Sequence, residues 1–224
     1  MTAYHRTDVL IDARDAQLEG FLTVPDEPLG LVVFAHGSGS SRFSSRNRFV
    51  AEVLNEARLA TLLFDLLSAR EHEVDEYTFE FRFDIPLLAR RLVATVDWVD
   101  EQTRLAPLPL GLFGASTGAA AALICAAERP ERVRAVVSRG GRPDLAAEAL
   151  PQVRAPTLLI VGGRDVEVLE LNRAAAARLR APHRIEIIPG ASHLFEEPGT
   201  LEAAAVAARD WFLTHLQPAV ADAR

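Results

Sequence analysis

The sequence predicts an α/β fold in which helices cover both faces of a mostly parallel central sheet. Short, continuous apolar runs alternate with longer segments whose apolar residues recur three and four positions apart, as buried strands and amphipathic helices do. Two segments of alternating polarity come before this series and predict an antiparallel pair. The 224 residues, of which 49% are hydrophobic and 25% charged, suit one ordered domain over residues 1–224.

The strands are predicted in two groups. The segments "TDVLID" and "AQLEGFLTV" form an N-terminal hairpin with its turn near Arg14–Asp15. Later in the chain, six runs have the length and composition of buried parallel strands. These runs are "GLVVFAH", "LATLLFDL", "LPLGLFG", "VRAVVSR", "APTLLIVGG" and "HRIEIIPG".

Helical periodicity appears between and after those strands, in "NRFVAEVLNEA", "PLLARRLVATVDWVDEQ", "TGAAAALICAAERP", "VLELNRAAAARLR" and "PGTLEAAAVAARDWFLTHL". Pro86 and Pro198 lie where a first helical turn tolerates proline, and Pro130 follows a helix end. The least regular segments, 67–85 and 139–155, both follow strands, on the side where the loops of a parallel sheet form a ligand crevice. The second is too short to hold a large cap domain.

Charge and composition exclude several functions. The net charge of −7 makes nucleic acid and anionic membrane surfaces unfavourable partners. All positive side chains are arginines, because the chain contains no lysine; a Schiff-base lysine and a P-loop lysine are therefore excluded. No apolar segment has the length of a signal peptide core or a membrane span, so we expect a cytoplasmic protein. The single cysteine, Cys125, is predicted to be a buried core thiol.

A glycine-flanked serine is the first candidate for chemistry. Residues 114–118, "GASTG", fit the G-x-S-x-G pattern around Ser116. The pattern follows a predicted strand and opens an alanine-rich helix, as a nucleophile elbow requires. A tight turn that merely needs small residues is the alternative interpretation. The context favours Ser116 as a nucleophile.

A serine nucleophile needs a base and a group that orients the base. Asp165 and His193 follow the last two predicted strands, in the order expected after a serine elbow. Asp165 could instead be only a helix N-cap, and Glu167 is a nearby substitute acid. Four further histidines are interpreted as solvated or packing residues: His5, His72, His183 and His215.

The loop "HGSGSSR" after the third strand resembles a loop that donates a backbone N–H to an oxyanion. The predicted oxyanion donors are the N–H groups of Ser38 and Thr117, and His36 is expected to brace the loop. A phosphate loop is disfavoured, since no G-x-G-x-x-G follows the strand. The acidic stretch near His72 lacks paired histidines at metal-ligand spacing, so we expect a solvated loop there, and neither a metal nor a cofactor.

Arginines concentrate in loops that follow strands. Arg42, Arg46 and Arg48 come after the oxyanion loop, and Arg139 and Arg142 lie in "SRGGRPD". Guanidinium groups suit bidentate contact with a carboxylate or phosphate, which makes Arg139 and Arg142 candidate ligands of an anionic substrate. Solvation, or pairing with the acids of residues 71–80, is the alternative for all five.

Four motifs in this order, "HGSGSS", "GASTG", "GGRD" and "GASHLFEEPG", resemble the α/β-hydrolase fold and its dienelactone-hydrolase-like group over nearly the whole chain. The resemblance implies a serine hydrolase that cleaves a small carboxylic ester, thioester or lactone through Ser116, His193 and Asp165. One departure is notable, because dienelactone hydrolases proper use cysteine where Ser116 stands. An acyltransferase with the same triad and a non-catalytic protein that binds a small molecule remain alternatives.

Overall fold

The computed structural model describes residues 4–216 and confirms the predicted α/β-hydrolase fold. Its described strands form one eight-stranded sheet in the order β1-β2-β4-β3-β5-β6-β7-β8. The N-terminal hairpin is antiparallel and joins β4 antiparallel, whereas all pairings from β4 to β8 are parallel. The strands are β1 (Tyr4–Asp12), β2 (Gln17–Pro25), β3 (Gly30–Ala35), β4 (Leu59–Phe64), β5 (Leu110–Ala115), β6 (Val133–Arg139), β7 (Thr157–Gly162) and β8 (His183–Ile188).

Helices cover both faces of this sheet. Alanines of α4 and apolar residues of α3 pack on one face, and α1 and α6 pack on the other. The central strands β3, β5 and β7 are buried along their whole length, which explains why their sequences are continuous apolar runs. The helices are α1 (Ser45–Glu56), α2 (Ala69–Thr78), α3 (Ile85–Glu101), α4 (Thr117–Glu128), α5 (Val166–Ala176) and α6 (Thr200–His215).

Helix α2 corrects the expectation of an irregular, solvated loop near His72. The hydroxyl of Ser68 accepts the N–H of Glu71, and the Glu71 carboxylate accepts the N–H of Ser68, which together form a capping box. Asp75 is the one described α2 residue that is buried, so this helix has no apolar stripe for periodicity to detect. The Ser68-x-x-Glu71 spacing was the signal available in the sequence.

Between β6 and β7 the chain forms a short 3-10 segment, Pro143–Gln152, and within the described residues no cap domain is inserted there. At the other end, Pro198 lies two residues before α6, not in its first turn, and Gly199 occupies the N-cap position. None of the helices within residues 4–216 is long and apolar enough to cross a membrane. The carboxyl ends of β3, β5, β6, β7 and β8 all point to one edge of the sheet, where the candidate site lies.

Candidate active site

Ser116 stands at the sharp turn from β5 into α4. Its backbone has φ 50° and ψ −122°, a conformation that a residue with a side chain adopts only under strain. The end of β6 fixes this turn, because the N–H of Ser116 donates to the carbonyl of Arg139 at 3.3 Å and the carbonyl of Ser116 accepts from the N–H of Arg142 at 3.0 Å. The geometry is that of a nucleophile elbow.

Both glycines of the pentapeptide are required by close backbone contacts. A Cβ atom on Gly114 would lie 2.4 Å from the Cα of Ala119, and one on Gly118 would lie 2.2 Å from the carbonyl oxygen of Ala35. The backbone at the start of α4 is therefore packed so closely against β3 and β5 that no side chain fits between them. Residues larger than glycine at either position would push the serine turn away from the sheet.

Asp165 and His193 meet at the same edge of the sheet. Asp165 follows β7 at the N-cap position of α5, but its side chain makes no capping hydrogen bond. Instead its Oδ2 accepts a hydrogen bond from Nδ1 of His193 at 2.6 Å. The Asp165 side chain is 14% exposed and that of His193 is 40% exposed, so the acid lies inside and the imidazole faces the opening.

Glu197 braces the histidine loop and was not singled out from the sequence. Its carboxylate accepts the N–H of Ser192 at 3.0 Å. Hydrogen bonds from Ser192, with a smaller contribution from the charge of Arg164, hold the pKa of Glu197 below its usual value. The "EEPG" that follows the histidine was the available signal, but the sequence does not show which of the two glutamates turns back to the loop.

His36 holds the loop after β3 in a defined tautomer. Its Nε2 accepts the N–H of Leu66 at 3.0 Å, so its Nδ1 carries the proton and donates to the carbonyl of Gly37 at 2.9 Å. Burial lowers the pKa of this imidazole, which favours the neutral form that the two hydrogen bonds need. Gly37 passes directly against Ser116, since a Cβ atom on it would lie 3.0 Å from the Ser116 Cβ.

A cavity of about 250 Å³ opens over the serine. Ser116 and His193 both line it, and no hydrogen bond joins their side chains within the described structure. Ser38 also lines the cavity, whereas Thr117 is the first residue of α4, is buried and does not line the cavity. The lining residues are Gly37, Ser38, Ser40, Ser44, Arg46, Asn47, Ala115, Ser116, Arg139, Gly140, His193 and Leu194.

Arg139, the last residue of β6, lies in this cavity and is only 8% exposed. Its Nη2 donates to Oδ1 of Asn47 at 3.2 Å, and its Nη1 has no hydrogen-bond partner among the described residues. Burial, and secondarily the charge of Arg46, lower its pKa to about 10. The guanidinium thus remains positively charged at neutral pH.

Arg142, the other predicted substrate ligand, does not line the cavity. Its guanidinium donates to both carboxylate oxygens of Asp144, at 2.9 and 2.8 Å. The alternative interpretation expected a partner among the acids of residues 71–80, but the observed partner, Asp144, lies outside that segment. The reason is local: Asp144 follows only two residues later and holds the side chain at the start of the 3-10 segment. Arg42 is likewise paired, with Asp65 and Glu19.

Residues 19–217 match the family model of the dienelactone hydrolase family. The chain belongs to the dienelactone hydrolase family. A family member from Anabaena variabilis, solved as a dienelactone hydrolase, is 55% identical to this chain and superposes with a TM-score of 0.94 over 96% of this chain and 99% of its own. Est1E of Butyrivibrio proteoclasticus has the same fold at 17% identity and a TM-score of 0.77, over 92% of this chain and 98% of its own.

Two curated Mycobacterium tuberculosis proteins, from strains CDC 1551 and H37Rv, are 57% identical to this family member over 209 residues. Their provisional name is phosphoribosyl transferase. The matched region covers 93% of this chain but 46% of each mycobacterial protein. The chain therefore spans about half the length of these relatives.

Proposed function

We propose that the protein is a serine hydrolase that cleaves a small carboxylic ester, thioester or lactone. The observation that carries the proposal is the 2.6 Å hydrogen bond between Asp165 and His193 at the opening of a cavity that also holds the strained Ser116. Acid, base and hydroxyl come from three separate loops that converge at one edge of the sheet. That convergence is what nucleophilic acyl transfer requires.

The hydrogen bond between His193 and Asp165 determines the role of each imidazole nitrogen in the reaction. Because Nδ1 of His193 donates to Asp165, Nε2 is the nitrogen free to accept the proton of Ser116 as its oxygen attacks the substrate carbonyl. The protonated imidazole then gives this proton to the leaving alcohol or thiol. A water molecule then attacks the acyl-enzyme. His193 takes a proton from this water and gives one back to the Ser116 oxygen, which releases the acid.

Two backbone N–H groups are suited to the developing oxyanion. Thr117 directly follows the nucleophile at the start of α4, and Ser38 lies in the loop that His36 braces. Neither N–H donates to a backbone carbonyl among the described residues. Donors aimed at the place where charge develops are worth about 3–4 kcal/mol each in comparable enzymes.

Membership of the dienelactone hydrolase family supports hydrolysis, and the serine at position 116 supports ordinary ester chemistry. The transferase name of the mycobacterial relatives is not carried over, because more than half of each of those proteins lies outside the matched region. The alternatives are an acyltransferase that passes the acyl group from Ser116 to an alcohol, and a protein that binds a ligand without turning it over.

The test is stoichiometric labelling of Ser116 by a fluorophosphonate, followed by a panel of short esters, thioesters and lactones ranked by kcat/KM. We expect one label per chain at Ser116, loss of labelling in His193→Ala, and turnover of at least one substrate class. An unreactive serine would favour the binding protein. Acyl transfer to an added alcohol in preference to water would favour the acyltransferase.

A further inference from the structure

The cavity over Ser116 is positively charged although the protein is acidic. Its lining contains the guanidinium groups of Arg46 and Arg139 and neither an aspartate nor a glutamate, in a chain whose net charge is −7. Ester hydrolysis itself needs no such charge, because its machinery consists of Ser116, His193, Asp165 and backbone N–H groups. The two arginines therefore require a separate explanation.

Arg139 is a buried charge without a neutralising partner. The residue that accepts its hydrogen bond, Asn47, is uncharged. Among the described residues, the Nη1 atom of Arg139 has no hydrogen-bond partner, and no carboxylate lies within ion-pair distance of the guanidinium. The rings of Phe113 and Phe195, with centroids 5.9 and 5.8 Å from the guanidinium carbon, offset the charge only in part. A buried guanidinium in this state is costly unless an anion completes it.

The first turn of α1 adds further donors to the same cavity. Ser44, Arg46 and Asn47 line the cavity, and Ser44 is the N-cap of this 12-residue helix. The Oγ of Ser44 accepts the N–H of Asn47 at 3.3 Å, so the hydroxyl hydrogen of Ser44, the other N–H groups of the first turn and the positive end of the helix dipole remain available to an anion. Ser40 contributes one more hydroxyl. Arg46 has a single acidic partner, Glu196 at 3.6 Å, which is 66% exposed.

We propose that this cavity binds a phosphate monoester carried by the substrate, with Arg139 contacting it from β6 and Arg46 and Ser44 contacting it from α1. Arginine pairs with carboxylates and phosphates alike, but these donors approach from two elements and include two full charges, which matches the three free oxygens and two negative charges of a phosphate monoester better than the two oxygens and single charge of a carboxylate. Since Ser116 lines the same cavity, the phosphate and the scissile carbonyl are separated by only a few atoms. This inference rests on the proposed function for the cleavage step, but not for the binding step.

The binding step is tested with inorganic phosphate by isothermal titration calorimetry, on the native protein and on Ser116→Ala. We expect saturable binding in both, with a loss of at least about 30-fold in Arg139→Met, the lower end for truncating a buried charge pair. Arg46→Ala provides a second variant should Arg139→Met fold poorly. Arg142→Met is the matched control, because Arg142 is paired with Asp144 outside the cavity, and its affinity should equal that of the native protein.

The substrate class is tested with three acetyl esters that differ in the remote group: acetoxyethyl phosphate, its neutral dimethyl phosphate triester, and acetoxypropionate. We expect the highest kcat/KM for the phosphate monoester, with a preference over the neutral ester that falls at least tenfold in Arg139→Met and persists in Arg142→Met. Equal rates for the neutral ester, or a carboxylate ester as good as the phosphate, would overturn the proposal. If the protein binds phosphate but turns over no ester, the proposed anion site stands and the proposed hydrolase function is wrong.

Discussion

At the scale of single residues, the order of serine, acid and histidine in the sequence predicts Ser116, Asp165 and His193 as the site residues, and the structure places all three at one edge of the sheet. The partners that fix these side chains were not predictable. The acceptor of Arg139, Asn47, lies 92 positions away in the chain, so the contact depends on how α1 packs against the end of β6. Arg142 was ranked equally with Arg139 because burial of a side chain is a property of the folded chain.

The carboxylate that orients His193 can be tested directly. Asp165→Asn should lower kcat by about 10³–10⁴-fold, because an amide in its place favours the wrong imidazole tautomer. Glu167→Gln is the matched control, since Glu167 lies in the first turn of α5 and should leave kcat near the native value. Steady-state kinetics on the best ester decide the matter. A large loss in Glu167→Gln together with a small one in Asp165→Asn would transfer the orienting role to Glu167.

An unpaired buried charge should weaken the fold that contains it. Arg139→Met replaces the guanidinium with an apolar chain of similar length, and we expect the free energy of unfolding at pH 7 to rise by about 1–4 kcal/mol in the absence of ligand. Urea unfolding followed by circular dichroism measures this change. A marked loss of stability would instead make Arg139 a structural residue. Arg142→Met breaks a partly exposed pair with Asp144 and should change stability by less than about 1 kcal/mol.

The buried His36 predicts how stability depends on pH. Burial lowers its pKa in the folded state below 6.5, so on acidification the unfolded chain takes up this proton first. The contribution of His36 is therefore fully present above pH 6.5 and is lost as the pH falls through its folded pKa. His36→Gln, whose amide oxygen can accept the N–H of Leu66, should show a shallower fall in melting temperature between pH 7 and pH 5. Identical slopes in the two proteins would contradict this account.

At the scale of secondary structure elements, the predicted bounds of β2 to β8 agree with the observed ones to within two residues, because turn residues bound each run, whereas β1 begins three residues before its predicted start. The run predicted as a buried strand at 183–190 forms β8, which is largely exposed because it lies at the edge of the sheet. Helix α2 was missed because its stability comes from a capping box and from Asp75, which accepts hydrogen bonds from the backbone and side chain of Arg82. A helix stabilised by such polar contacts shows no hydrophobic periodicity in its sequence. The contact between α4 and β3 likewise depends on which strands are neighbours in the sheet.

That contact gives a test at two glycines. Gly118→Ala should destabilise the protein strongly and reduce ester turnover, because the new Cβ would lie 2.2 Å from the carbonyl oxygen of Ala35, at the start of the oxyanion loop. Gly190→Ala is the matched control: its φ of +76° is strained for alanine, but nothing lies within 4 Å of the added atom. Its cost should be about 1–2 kcal/mol, with activity retained. Equal costs in thermal unfolding would show that strain, not close packing, dominates at both positions.

At the scale of the whole molecule, the edge of the sheet that holds the candidate site is open. The link between β6 and β7 is only the 3-10 segment Pro143–Gln152 with its flanking loops, and the His193 side chain is 40% exposed. The absence of a large cap was predictable from the spacing of two apolar runs in the sequence. The charge of the cavity was not, because the overall composition is acidic and the positive residues meet only in the folded protein.

An open site should not respond to an oil–water interface. For a long-chain ester, we expect the rate to follow ordinary saturation as the substrate concentration passes the solubility limit, since no lid has to be displaced. The measurement is initial rate against substrate concentration on both sides of that limit. A sharp increase on emulsion formation would require a moving element over the cavity, and detergent micelles serve as the control for adsorption of the enzyme.

The end of β6 serves Ser116 and the cavity through different atoms of one residue. The carbonyl of Arg139 accepts the N–H of Ser116, while its guanidinium donates to Asn47, another residue that lines the cavity. The Arg139 side chain can consequently change without altering the backbone contact that holds the Ser116 turn. Laboratory selection on neutral esters should therefore replace the Arg139 side chain early, by a single codon change, and leave the strand, the serine turn and the acid–histidine pair untouched.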